Sequence, residues 1–105
     1  RFKYGFNDTK LSDDGKQFAN EILELLKKNP RVKLLVVGYT DNIGTEEVNL
    51  KISAARAKAF TDYLIKKGIS PKRLRSEGKG ESEPLNENRS KEERSLNRRV
   101  KFLLY

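Results

Sequence analysis

Apolar positions along this chain recur with two periods, and each period predicts an element. Phe2, Tyr4 and Phe6 alternate with Arg1, Lys3 and Gly5, which predicts a short opening strand. A polar turn follows at Asn7-Asp8-Thr9. Phe18, Ile22, Leu25 and Leu26 then fall at i, i+4, i+7 and i+8, one face of a helix. Ser12 is its N-cap, Asp13 and Asp14 lie at the positive end of its dipole, and it ends near Lys28, ahead of Asn29-Pro30. Residues 32–37, Val-Lys-Leu-Leu-Val-Val, form a nearly unbroken apolar run that predicts a strand covered on both faces.

A loop at residues 38–44 leads to a second helix near Thr45, with Glu46 and Glu47 in its first turn. Its apolar stripe reads Ile52, Ala55, Ala59, Phe60, Tyr63 and Leu64. Lys66-Lys67-Gly68 suits its end: cations near the negative pole, then a glycine free to take the left-handed conformation. Ser70-Pro71 predicts a capped turn into a strand at about 74–77, and residues 78–88 read as a long polar loop. Ser90 and Glu93 form a capping box for a short helix over about 91–97. Val100, Phe102 and Leu104 alternate as a closing strand. The order β-α-β-α-β-(short α)-β predicts an α/β (α+β) sandwich, with helices packed on one mixed four-stranded sheet in a single domain spanning residues 1–105.

Composition narrows what this domain does. Charged residues make up 36% of the 105 and hydrophobic ones 35%, which suits one modest core under a wet surface. The net charge is +8, of which residues 66–105 carry +6 and residues 1–65 only +2. A basic half raises nucleic acid, an acidic polymer or an anionic membrane surface as partners, against the plainer reading of a solvated lysine-rich face. There is no Cys, so disulfides and cysteine nucleophiles are excluded, and no His, which removes the commonest general base and zinc ligand. No apolar run approaches the ~18 residues of a membrane helix, so this domain is not expected to span a bilayer. The chain starts at Arg1 and contains no Met, as expected of a domain excised from a longer protein.

Ligands of α/β sheets gather beyond the carboxyl ends of strands, where the loop at 38–44 lies. It presents Asp41, and Arg56 follows on the next helix, leaning back toward its N-terminus. An anion and a cation on one cleft would hold a zwitterion by its ammonium and carboxylate. The competing readings are structural: Asp41 as an Asx-turn or cap residue, Arg56 paired with Asp41, Asp62 or Glu46, and Asn49 capping a helix start. Gly78-Lys79-Gly80-Glu81 lacks the spacing of a phosphate loop. The adjacent acids Asp13/Asp14, Glu46/Glu47 and Glu92/Glu93 diverge on their helices, and Ser53 and Ser95 have no histidine to activate them. Neither an enzyme active site, a metal site nor a cofactor is expected.

Several motifs in register carry a resemblance: Gly38-Tyr39-Thr40-Asp41-Asn42-Ile43-Gly44, Asn49 through Ser53-Ala54-Ala55-Arg56-Ala57, Gly68-Ile69, Arg73-Leu74, Gly78-Lys79-Gly80-Glu81 with Pro84, and Asn97-Arg98-Arg99-Val100. Together they resemble the OmpA-like peptidoglycan-binding domain of OmpA porins, the Pal lipoprotein and the MotB stator protein, most strongly over residues 32–104. The resemblance implies non-covalent binding of the peptidoglycan stem peptide through its diaminopimelate, by a periplasmic domain of a Gram-negative envelope protein attached to the outer membrane. It implies that Asp41 takes the ammonium and Arg56 the carboxylate of diaminopimelate. Asn7, Asp8, Thr40, Ile43, Gly44, Val48, Asn49 and Arg98 are the secondary pocket residues it implies. Ile52, Ile43 and Glu93 depart from the family pattern without touching the Asp41/Arg56 pair.

Two rival readings accompany it. Arg94, Arg98, Arg99 and Lys101 cluster, but no aromatic stacking platform is interleaved with them, so no nucleic-acid partner is expected. The same fold could instead serve as an interaction module for envelope proteins.

Overall fold

The structure, a computed structural model, describes residues 8–84, 87–88 and 90–105. Helix α1 (Asp13–Lys28) starts where the cap chemistry places it: the Ser12 hydroxyl accepts from the Gly15 amide at 3.1 Å. Its buried face is Ala19, Ile22, Leu23 and Leu26, with Phe18 partly buried beside it. Leu25, expected inside, is 37% exposed, and Leu23 takes the inner position instead. The two leucines lie about 200° apart around the helix, so only one of them faces the sheet.

Strand β1 (Leu34–Gly38) is central, flanked by β2 (Leu74–Gly78) and β3 (Val100–Leu104). β1 and β2 are parallel, joined through helix α2 (Glu46–Lys66) and a 3-10 turn at Pro71–Arg73. β3 runs antiparallel to β1 after helix α3 (Lys91–Asn97), so the sheet is mixed, as expected. Three strands rather than four make up the sheet of the described residues. The opening strand expected at Phe2, Tyr4 and Phe6 lies outside them. β1 begins two residues later than the apolar run, although Lys33 still exchanges both backbone hydrogen bonds with Tyr105.

Leu34, Val36, Leu74 and Val100 face the helices and close over Ile22, Leu26, Ala57, Phe60 and Leu64. Phe102 wedges between Phe18 and Phe60, its ring centre 4.8 and 4.9 Å from theirs. The Arg73 guanidinium fastens the end of α1 to the start of β2, donating to the carbonyls of Leu26, Asn29 and Val32 at 2.8–3.0 Å.

The inward face of α2 departs from the expected apolar stripe. Ala55 is exposed, and the buried positions run Asn49, Ser53, Arg56, Ala57, Phe60, Thr61 and Leu64, polar at the N-terminal half and mainly apolar beyond it. The polar half lies against the carboxyl ends of β1 and β2, where Gly38 and Gly78 pair in register. A Cβ on Gly38 would overlap the Ser53 carbonyl, and one on Gly78 would overlap the Ala54 amide. Two side-chain-free positions thus let the helix backbone rest directly on the sheet. The Ser53 hydroxyl fits the seam, donating to the Leu50 carbonyl and accepting from the Gly80 amide, both at 2.9 Å.

Candidate functional site

The chain leaves β1 at Gly38 and runs through a buried Tyr39 and Thr40 into the loop that carries Asp41. The Thr40 amide donates to the Gly80 carbonyl at 2.7 Å, tying this loop to the one after β2. The loop closes at Gly44, whose φ of +93° suits a residue without a side chain, and Thr45 then caps α2 by accepting from the Val48 amide.

Asp41 is 2% exposed, and both of its carboxylate oxygens are engaged. Oδ1 accepts from the Ile43 amide at 3.0 Å, which closes an Asx turn. Oδ2 receives the Arg98 guanidinium at 2.6 Å, in an ion pair whose side chains are 3% and 16% exposed. Turn and ion pair coexist because a carboxylate has acceptor sites to spare.

Arg56, expected on the same cleft as Asp41, is nearly buried. It is 1% exposed and does not line the cleft. From the inward face of α2 its Nε donates to the Asp8 carbonyl at 2.7 Å and its guanidinium to the Tyr39 carbonyl at 3.2 Å. It therefore braces the base of the Asp41 loop against the chain entering α1. Burying an always-charged guanidinium is tolerated only where such acceptors meet it.

Asp41, Ile43, Lys91, Arg94 and Arg98 line an open cleft of about 420 Å³ between this loop and α3. Of the implied pocket residues, Asp41, Ile43 and Arg98 thus meet on one wall. Asn49 is buried behind it, its amide 3.5 Å from both the Asp41 carbonyl and a Glu81 carboxylate oxygen. Thr40 donates to the Asp41 carbonyl at 2.9 Å and shapes the loop from within. Val48 and Ile43 are 45% and 43% exposed. Asp8 contributes its backbone carbonyl, through Arg56, and Asn7 lies outside the described residues.

Lys91 and Arg94 were not among the expected site residues. Together with Arg98 they follow a helical i, i+3, i+7 spacing, which was readable in the sequence as one basic face. Arg99 turns away from the cleft to stack on the Tyr39 ring at 3.9 Å and donate to the Glu83 carbonyl at 2.8 Å. Burial pushes its pKa down from the ordinary arginine value. Consecutive arginines thus do different work, one lining the cleft and one in the packing. Among the described residues no group of His, Cys, Asp or Glu is placed to hold a metal ion, and no helix is long and apolar enough to cross a membrane.

Residues 3–98 match the model of the OmpA family. The outer membrane protein A of Bordetella avium is 37% identical over 99 residues, covering 94% of this chain and 51% of that protein. A peptidoglycan-binding protein of Mycobacterium tuberculosis, ArfA, is 33% identical over 96% of this chain and 31% of its own length. The chain thus spans about half or less of these curated relatives. The crystal structure of the peptidoglycan-associated lipoprotein from Burkholderia pseudomallei superposes with a TM-score of 0.92, covering 98% of this chain and 87% of that one at 23% identity, which establishes a shared fold.

Proposed function

The chain belongs to the OmpA family, and from that premise we propose that it binds peptidoglycan through the diaminopimelate of the stem peptide, tethering a cell-envelope protein to the wall from the periplasmic side. The observation that carries this reading is the Asp41 carboxylate, held by two partners at the wall of an open cleft whose other charged lining residues, among those described, are all cations. Such a wall accepts an ammonium at one point and carboxylates around it, the charge pattern of diaminopimelate.

Asp41 receives the ligand ammonium. Arg98 pivots from Asp41 toward the ligand carboxylate, and Arg56 supports the loop from below. A stem peptide with lysine in place of diaminopimelate keeps the ammonium and lacks the carboxylate. It should bind more weakly by on the order of 1–3 kcal/mol, about 10–100-fold.

Binding proceeds without catalysis. The sequence holds neither His nor Cys, and the Ser53 hydroxyl beside the site is committed to Leu50 and Gly80. Co-sedimentation with purified sacculi tests the reading. The wild type should pellet and Asp41→Asn, which can keep the Asx turn, should stay in solution. Failure of the wild type to pellet overturns the function, and equal pelleting of both overturns the role of Asp41.

A further inference from the structure

Within the cleft the charges do not balance. Asp41 is the one carboxylate among the described lining residues, and its oxygens are already engaged by Arg98 and the Ile43 amide. Lys91 and Arg94 add two further cations to the same wall, while Glu92 and Glu93, next to them on α3, do not line it. Lys91 is exposed, whereas Arg94 is half-buried and donates to the Asn88 carbonyl at 3.3 Å. One cation, Arg98, suffices to neutralise Asp41, so the others are a surplus that a zwitterion with a single carboxylate does not use.

We propose that Lys91 and Arg94 make the cleft a reader of carboxylate number, selecting ligands with two or more free carboxylates over the same ligands with all but one of those groups amidated. The inference rests on the stem-peptide reading above and deepens it. An amide keeps the shape and the acceptor oxygen of a carboxylate but loses the charge. Lys91, a point charge, and Arg94, a planar fork, therefore discriminate by electrostatics and bidentate geometry rather than by size. Lys91 and Arg94 are specificity-determining residues, distinct from Asp41, which sets the ammonium end.

Isothermal titration tests this with two synthetic stem tripeptides, both carrying diaminopimelate with the carboxylate beside its side-chain ammonium free, one with the remaining carboxylates free and the other with them amidated. The wild type should bind the free form about tenfold or more tightly. Lys91→Gln should weaken the free form about three- to tenfold while leaving the amidated form unchanged, narrowing the gap. Arg94→Gln should narrow it further, and Lys16→Gln, an exposed lysine on α1, should leave it as it is. Equal binding of both peptides by the wild type, or a gap unmoved by Lys91→Gln, overturns carboxylate counting and leaves the stem-peptide reading standing. Binding of neither peptide overturns that reading and this inference together.

Discussion

Arg98 reaches across 57 positions of sequence to place its guanidinium 2.6 Å from the Asp41 carboxylate. The contact joins the loop after β1 to the end of α3, the two elements that border the cleft. It holds a nearly buried acid with one strong, charge-assisted hydrogen bond. Removing the arginine takes away the cation and leaves the Ile43 amide to support a buried negative charge. Arg98→Gln should therefore lower stability by about 1–3 kcal/mol in urea unfolding and weaken sacculus binding as well. In a double-mutant cycle with Asp41→Asn, the stability losses should be markedly non-additive.

Arg56 should behave differently. Its partners include the backbone carbonyls of Asp8 and Tyr39, both left without this donor on truncation. Arg56→Ala should cost on the order of 2–4 kcal/mol and loosen the Asp41 loop, read as faster amide exchange at residues 41–44. Loss of binding in this variant then reports loop disorder as much as a missing ligand contact. Arg56→Lys, which keeps a cation with fewer donors, should recover part of the stability.

The paired glycines under α2 give a prediction far from any charge. Gly38→Ala pushes a methyl group into the Ser53 carbonyl, which belongs to a helix backbone and has little room to yield. A loss of about 3 kcal/mol is expected in thermal or urea unfolding, and Gly78→Ala should be comparable. Gly68→Ala, at the exposed end of α2, meets nothing within 4 Å. Its cost should come from its φ of +107° alone, about 1 kcal/mol.

Salt separates a pocketed ligand from a polyanion. A nucleic acid held by six or more phosphate contacts would lose about 10³-fold or more in affinity between 50 and 200 mM salt. A stem peptide enclosed against Asp41 and Arg98 should lose less than about tenfold, since its partners are sheltered from the ions that screen exposed charges.

Much of this was legible in the sequence because it was local. The hydroxyls of Ser12, Thr45 and Ser90 each accept from the amide three residues on, at the helix starts their positions predicted. The place of Asp41 was legible for a similar reason: a strand end, a loop and a helix start are adjacent in the chain. The inward face of α2 was not legible from apolarity. It is polar where it meets Gly38 and Gly78, and no periodicity of apolar residues reveals a face packed through backbone and a serine. Nor did spacing reveal that Arg98, rather than Arg56, would hold Asp41, because that choice is made by the tertiary approach of α3. Lys91 and Arg94 carried a signal, their shared helical face with Arg98, but general basicity in this half of the chain masked it.

The central claim is that Asp41 and Arg98 form the wall that takes the diaminopimelate zwitterion. The most direct test is an NMR titration of the domain with a diaminopimelate-bearing stem peptide, following the Ile43 amide and the Arg98 and Arg56 guanidinium signals. Saturable shifts are predicted at Ile43 and Arg98, with smaller ones at Arg56 and none in Asp41→Asn. Absence of shifts at millimolar peptide, or shifts confined to residues away from the cleft, would contradict the claim.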